Sequence, residues 1–277
     1  MLYVKKLSGE LLPYDESSLK GSLQKSGASE EQIETVMEEI NKILYDGIPT
    51  GMLYEKAFEL LRSLKHSYAA RYSLKKALRD LGPEGYYFEK WVTKLFQAQG
   101  FHAVSGQNLQ GEAVKHEIDV VASKDERLVL CECKFRNDVD AKISVTTPMY
   151  FLSRFNDLKN LKFEYFGKEL NPTEGYMVTN AYMTTDSIAF AEKYGIQLIS
   201  WDYPEKLNIK QLVDDYKFYP VTCLTNLTIE ERNILLKKNC ILIKDIVSNP
   251  VLMDHFKFDS ERKKIIFEEA NDLVIDY

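Results

Sequence analysis

The stretch HEIDVVASKDERLVLCECKF, residues 116–135, holds two acidic residues and a lysine where a β-hairpin would gather them. Two apolar strands, Ile118–Ser123 and Leu128–Phe135, flank the polar Lys124-Asp125-Glu126-Arg127, a natural hairpin connection. A turn centred between Asp125 and Glu126 sets Asp119 opposite Glu132. Directly opposed residues have Cβ atoms about 4.5–5.5 Å apart, and like charges there repel. A divalent cation between the carboxylates relieves that repulsion, since hard cations take oxygen ligands. Lys134 lies two residues past Glu132 and projects from the same face. Two carboxylates and a lysine on one face suit phosphodiester hydrolysis: the metal polarises a phosphoryl oxygen and activates water, and the lysine offsets charge on the phosphate. The plainer alternative is a solvated strand face with an incidental Glu–Lys pair.

The elements around this hairpin have simpler roles. Cys131, Cys133 and Phe135 alternate to the opposite face, where they pack against a helix layer. With Cys223 and Cys240 they make four cysteines, which read as reduced thiols; a lone C-x-C gives no zinc cage. Upstream, a helix over Pro83–Gln99 buries Phe88, Trp91, Val92, Leu95 and Phe96 as one stripe. Glu89 sits at the edge of that stripe, either as a rim residue or as an accessory metal group. His116 and Glu117 adjoin the motif and are expected to be exposed.

The chain has 277 residues, enough for two or three domains, and its 45% hydrophobic content is that of a globular protein. No stretch approaches the ~18 apolar residues of a membrane span, and the first residues lack the apolar core of a signal peptide, so a cytoplasmic location is expected. A net charge of −6 argues against indiscriminate coating of nucleic acid. Residues 1–82 read as two short strands followed by helices, with a capping box at Ser29–Gln32. Residues 83–208 alternate helix and strand, which implies an α/β layer architecture. Pro204 and Pro220 bracket a linker, and residues 218–277 read as short helices.

GYYFEKWVTKLFQAQGF, HEIDVVAS, LVLCECKF and GYMVTNAYMTTDSIAFAEKYGIQLISW together resemble the Mrr-like restriction endonuclease domain of the PD-(D/E)xK nuclease superfamily. The resemblance covers residues 83–208 and implies an α/β/α core. It assigns Asp119 and Glu132 to a metal, Mg²⁺ or in its place Mn²⁺, Lys134 to the motif lysine, and Glu89 to the acidic group of the first helix. Glu-Cys-Lys stands where many members have Gln-x-Lys.

Two flanking resemblances complete the domain reading. Residues 1–82 are similar to the ATP-cone domain through Val4-x-Lys6-x-x-Gly9, Tyr45-Asp46-Gly47-Ile48-Pro49-Thr50, and a last helix with Ala69, Ala70 and Tyr72. That implies phosphate contacts from Lys6, Gly9 and Thr50 to ATP or dATP. Leu7 and Ser18 stand where the family has basic residues, so weak or absent ATP binding is expected. Residues 218–277 resemble a helix-hairpin-helix domain whose turn carries Asn239 instead of glycine, a residue that also visits left-handed conformations. That family grips DNA phosphates with backbone amides and lysines, here Lys237, Lys238 and Lys244.

The sequence therefore predicts an α/β nuclease core flanked by a mostly helical ATP-cone-like domain and a small helical C-terminal domain. Its expected activity is that of a Mg²⁺-dependent endodeoxyribonuclease like the type IV restriction enzymes, with DNA as partner, no membrane, and a homo-oligomer allowed. The alternatives are a nucleotide-sensing DNA-binding or assembly protein with an unused nuclease fold, and a structure-specific DNA repair nuclease.

Overall fold

The computed structural model describes residues 2–82 and 85–275, so Pro83, expected to open a helix, lies outside the described residues. The chain divides into two compact units, residues 1–74, 223–232 and 246–277 in the first, and residues 75–222 and 233–245 in the second. The C-terminal residues 218–277, read from the sequence as one module, are shared between them. Among the described residues no helix is long and apolar enough to cross a membrane.

In the first unit β1 (Tyr3–Lys5) pairs antiparallel with β2 (Leu11–Pro13). Next come α1 (Glu16–Gln24) and α2 (Glu30–Asn41), the latter opened by the full Ser29–Gln32 capping box. The short β3 (Ile48–Pro49) pairs parallel with β1 and leads into α3 (Thr50–Leu64) and α4 (His66–Tyr72). Leu23, Ile33, Val36, Ile40, Ile48 and Leu61 form its core.

The second unit opens around α5 (Leu74–Arg79) and α6 (Tyr86–Ala98). The strands β4 (His102–Gln110), β5 (Lys115–Lys124) and β6 (Arg127–Lys134) then run as an antiparallel meander. The short β7 (Lys142–Ile143), α7 (Thr146–Leu158) and the hairpin of β8 (Phe163–Tyr165) with β9 (Lys168–Leu170) follow. Then come β10 (Glu174–Thr179), β11 (Tyr182–Met183), α8 (Thr185–Tyr194), β12 (Gln197–Ile199) and α9 (Ile209–Tyr216). Among the described residues the main sheet has the order β12-β10-β6-β5-β4, with β10 parallel to both β6 and β12. The alternating faces of β6 sort the helices: α6 meets Phe135 through Phe88, while α7 meets the other face, where Phe151 and Phe155 lie over Gly175. A helix on each face of a mixed sheet is the expected α/β architecture.

Several elements of this unit were not legible in the sequence, β4, the β8–β9 hairpin and α9 among them. β4 is a polar edge strand, exposed at His102, Gly106, Asn108 and Gln110 and interrupted by Gly106 at φ +64°, so it lacks an apolar signature. The β8–β9 turn puts Phe166 and Gly167 at positive φ, and phenylalanine is a poor marker of such a turn. Residues 209–216, expected as linker, form α9 because Asn208 caps it and Ile209, Leu212 and Val213 are buried at helical spacing.

The C-terminal helices α10 (Ile229–Lys237), α11 (Ile243–Ser248) and α12 (Ser260–Val274) follow. Within the first unit, α12 is bound to α4: Arg71 Nη2 donates to the Asp272 carbonyl at 2.8 Å, and Lys65 Nζ lies 2.9 Å from Asp272 Oδ2. The buried Glu269 accepts from Thr225 N and Asn226 Nδ2. Within the second unit, Trp91 Nε1 of α6 donates to the Phe218 carbonyl at 3.0 Å, Lys90 Nζ to Asn239 Oδ1 at 2.8 Å, and Lys94 Nζ pairs with Asp245 at 3.0 Å.

One contact ties α7 to the sheet. Asp157 accepts from Ala113 N and Val114 N in the β4–β5 turn, and His116 Nε2 lies 2.7 Å from its Oδ2. A Cβ on Gly111 would overlap the Asp157 carboxylate and come within 2.8 Å of the Val114 carbonyl oxygen. Gly111→Ala is therefore expected to destabilise the protein by about 1–3 kcal/mol, since overpacking forces backbone shifts. Urea unfolding measures this, and unchanged stability would show that the turn gives way without cost.

Candidate active site

The β5–β6 ladder pairs Val120 with Cys131 and continues in step to Lys124 with Arg127. The paired ladder ends at Val120 and Cys131, and Asp119 and Glu132 are the next residues beyond it on the two strands. Asp119 Oδ2 accepts a 2.6 Å hydrogen bond from Cys133 N. Glu132 Oε2 accepts from Arg154 Nη1 of α7 at 2.5 Å, with the two side chains only 13% and 11% exposed. Lys134 ends β6 on the same face.

Second contacts hold these strands. Thr179 Oγ1 donates to the Lys134 carbonyl at 2.5 Å. The Asn180 amide brackets Arg136, accepting from its N–H and donating to its carbonyl at 2.8 Å each. The threonine–asparagine pair that closes β10 thereby fixes the end of β6. Across from Asp119, Gly106 interrupts β4 between the Ser105–Val120 and Gln107–Ile118 pairs.

The electrostatics follow from this crowding. Burial first, then the Glu132 charge, push the Asp119 carboxyl up to about 7. Glu89, in the first turn of α6, is also raised to about 7, chiefly by burial and then by Asp119, Glu117 and Glu132. Glu89 thus shares a field with both hairpin carboxylates. Burial also pushes the Cys133 thiol well up, in keeping with a packing role.

Several expected positions turn out differently. Glu117 is exposed as expected, yet it lies close enough to raise Glu89 and Asp119. His116, expected to be exposed, is only 11% exposed and anchors Asp157, whose carboxyl it holds below the usual range. Its neighbour in the fold, forty-one positions on, could not be seen from the sequence. Arg154 had no sequence signal either: it is one charged residue on a helix, and only the packing of α7 turns it toward Glu132.

Elsewhere, β1 and β3 end their pairing at Lys5 and Pro49, Lys6 follows β1, and Thr50 opens α3. Gly9 turns the chain back at φ +89°, and Lys6 Nζ is paired with Glu10 at 3.1 Å. In the tail, Asn239 adopts φ +62°, the left-handed turn expected of it. The turn amides are already bonded, however: Ile241 N and Leu242 N both donate to Asp245 Oδ2, at 2.9 and 3.0 Å. Lys244, expected on DNA, donates to the Tyr216 carbonyl at 2.7 Å and lies over the Phe218 ring. Lys237 and Lys238 are exposed.

The donor set bears on the metal expected here. Among the described residues, no three or more His, Cys, Asp or Glu side chains are arranged to hold an ion. Asp119 and Glu132 each keep one carboxylate oxygen outside the hydrogen bonds described. Two carboxylates, with water and phosphate oxygens completing the shell, are what Mg²⁺ commonly takes, so the residues fit such an ion.

Known proteins place this site in context. Residues 82–151, which include Glu89, Asp119, Glu132 and Lys134, match the family model of a restriction endonuclease catalytic domain, and support a PD-(D/E)xK-like nuclease. Residues 219–274 match the C-terminal model of AF1548-like proteins. The crystal structure of AF1548, titled a protein of unknown function, is similar with a TM-score of 0.55 and 27% identity, over 68% of this chain and 97% of that one. An uncharacterized protein of Archaeoglobus fulgidus is 30% identical over 157 residues, 57% of this chain and 84% of its own length. At that identity over most of the relative, the chain belongs to the family of this Archaeoglobus fulgidus protein.

Proposed function

We propose that the protein is a metal-dependent DNA endonuclease that hydrolyses phosphodiester bonds, in the manner of type IV restriction enzymes that act on foreign or modified DNA. The observation that carries this reading is that Asp119, bonded to Cys133 N beside Glu132 and raised by burial and then by the Glu132 charge, lies with Glu132 inside the segment that matches a restriction endonuclease. Asp119 and Glu132 would hold Mg²⁺, or Mn²⁺ in its place. A divalent cation, when bound, supplies Lewis-acid polarisation of the phosphoryl oxygen and makes the attacking water more acidic. Lys134 offsets the charge that builds on the phosphate. Glu89, in the first turn of α6 and within the field of both hairpin carboxylates, would assist at the cation directly or through water.

Incubation with unmodified, modified and branched DNA in Mg²⁺ tests the assignment and separates restriction from repair substrates. Asp119→Asn keeps an acceptor for Cys133 N but halves the anionic pair, and Lys134→Ala removes no ligand. Both are expected to lower cleavage on the order of a hundredfold or more, since each removes charge stabilisation of the transition state. Calorimetry with Mn²⁺ should show uptake lost in Asp119→Asn and kept in Lys134→Ala. Full cleavage by Asp119→Asn would end the assignment at these residues.

The raised carboxyls predict a pH dependence as well. Asp119 and Glu89 titrate near 7 in the folded chain and near 4 when unfolded, so the metal-free fold holds extra protons between those values. Their contribution to stability is complete below about pH 4 and is lost as pH rises through about 7. Metal uptake must displace those protons, so Mn²⁺ affinity should climb from pH 6 to pH 8 with proton release. Calorimetry in buffers of different ionisation enthalpy reads that release; affinity flat across this range would count against the site.

A further inference from the structure

Arg154 stands apart from the groups a nuclease reading needs. It is nearly buried, it contacts Glu132 at 2.5 Å, and it lies 5.6 Å from the centre of the Tyr150 ring. Its place is built, since Asp157 one turn later is held by two backbone amides and by His116, which fixes the rotation of α7. Its positive charge also acts on Asp119, partly offsetting the burial of that carboxyl. The guanidinium thus occupies one oxygen of a carboxylate that the proposed cation must share.

We propose that Arg154 is a positioning residue acting through Glu132: it is the built-in counter-ion of the carboxylate pair, and it competes with the divalent cation for that charge. This rests on the nuclease reading above and deepens it. Without a cation, Arg154 keeps Glu132 from standing buried and unpaired beside Asp119, a state that costs a folded protein heavily. With a cation bound, the two positive groups face each other across one carboxylate. Their repulsion weakens the hold on the metal, because charges a few ångströms apart at a partly buried site interact strongly. The result is a site that is stable without metal and takes it up reversibly.

The test uses the full chain, with Mn²⁺ calorimetry and metal-free urea unfolding. Arg154→Gln is expected to bind Mn²⁺ on the order of tenfold more tightly, from the loss of one nearby positive charge, while its metal-free form becomes less stable. Arg154→Lys keeps the charge and should bind Mn²⁺ as the wild type does. A brace without a charge role predicts lost stability with Mn²⁺ affinity unchanged or weaker in Arg154→Gln, and that result overturns the proposal. If Arg154→Gln does not fold, the comparison moves to the Glu132→Gln background. There the second change Arg154→Gln should cost little stability, and a collapse as complete as in the single variant would overturn it. Wild-type protein that takes up no Mn²⁺ sinks the nuclease reading along with this one. Wild-type uptake with unaltered affinity in Arg154→Gln sinks this one alone.

Discussion

Two carboxylates on adjacent strands, half out of water, repel each other, and a fold that keeps them must supply positive charge nearby. Here the supply comes from the face of the sheet that carries Glu132. Arg154 reaches from α7 to Glu132, a peptide N–H holds Asp119, and neither contact neutralises the pair completely. Burial first, and then the uncompensated charge of the neighbouring carboxylates, give Asp119 and Glu89 their high proton affinity. The part that comes from excess negative charge is what a divalent cation with few protein ligands would satisfy. It also explains why so much of the surrounding structure serves to hold α7 and the end of β6 still.

The holding contacts form a chain. Asp157 fastens α7 to the β4–β5 turn, and Gly111 is small where that carboxylate must approach. Thr179 and Asn180 lock the segment after β6 from the neighbouring parallel strand. Each is a side chain bonded to backbone, the kind of contact that transmits position because the backbone cannot rotate away. Lys134 and Glu132 therefore inherit their places from residues far along the chain.

Helix α6 has two duties. Its first turn carries Glu89 toward the hairpin carboxylates, while Lys90, Trp91 and Lys94 take the segment around the Asn239 turn. That turn has the left-handed residue of a helix-hairpin-helix, yet Asp245 binds its amides and Lys90 its asparagine. The Ile241 and Leu242 amides and Lys244 are bonded within the protein, while Lys237 and Lys238 are exposed. The same segment is bonded to α6 through Lys90, Trp91 and Lys94.

The sequence by itself determined the local parts of this protein. The hairpin register, the buried stripe of α6, the Ser29 capping box and the left-handed turn at Asn239 all depend on residues within a few positions of one another, where spacing sets geometry. The resemblance to a restriction endonuclease came from the same short segments. Tertiary structure alone decided the rest. A polar edge strand such as β4 has no apolar period to read, and α9 is too short to declare itself beside two prolines. Arg154, Asp157 and His116 are ordinary surface types in sequence, and they gain meaning only because α7 packs on the face of the sheet that carries Glu132. Long-range charge pairing leaves no periodic trace in the chain, so only the folded molecule shows that Glu132 already has a counter-ion.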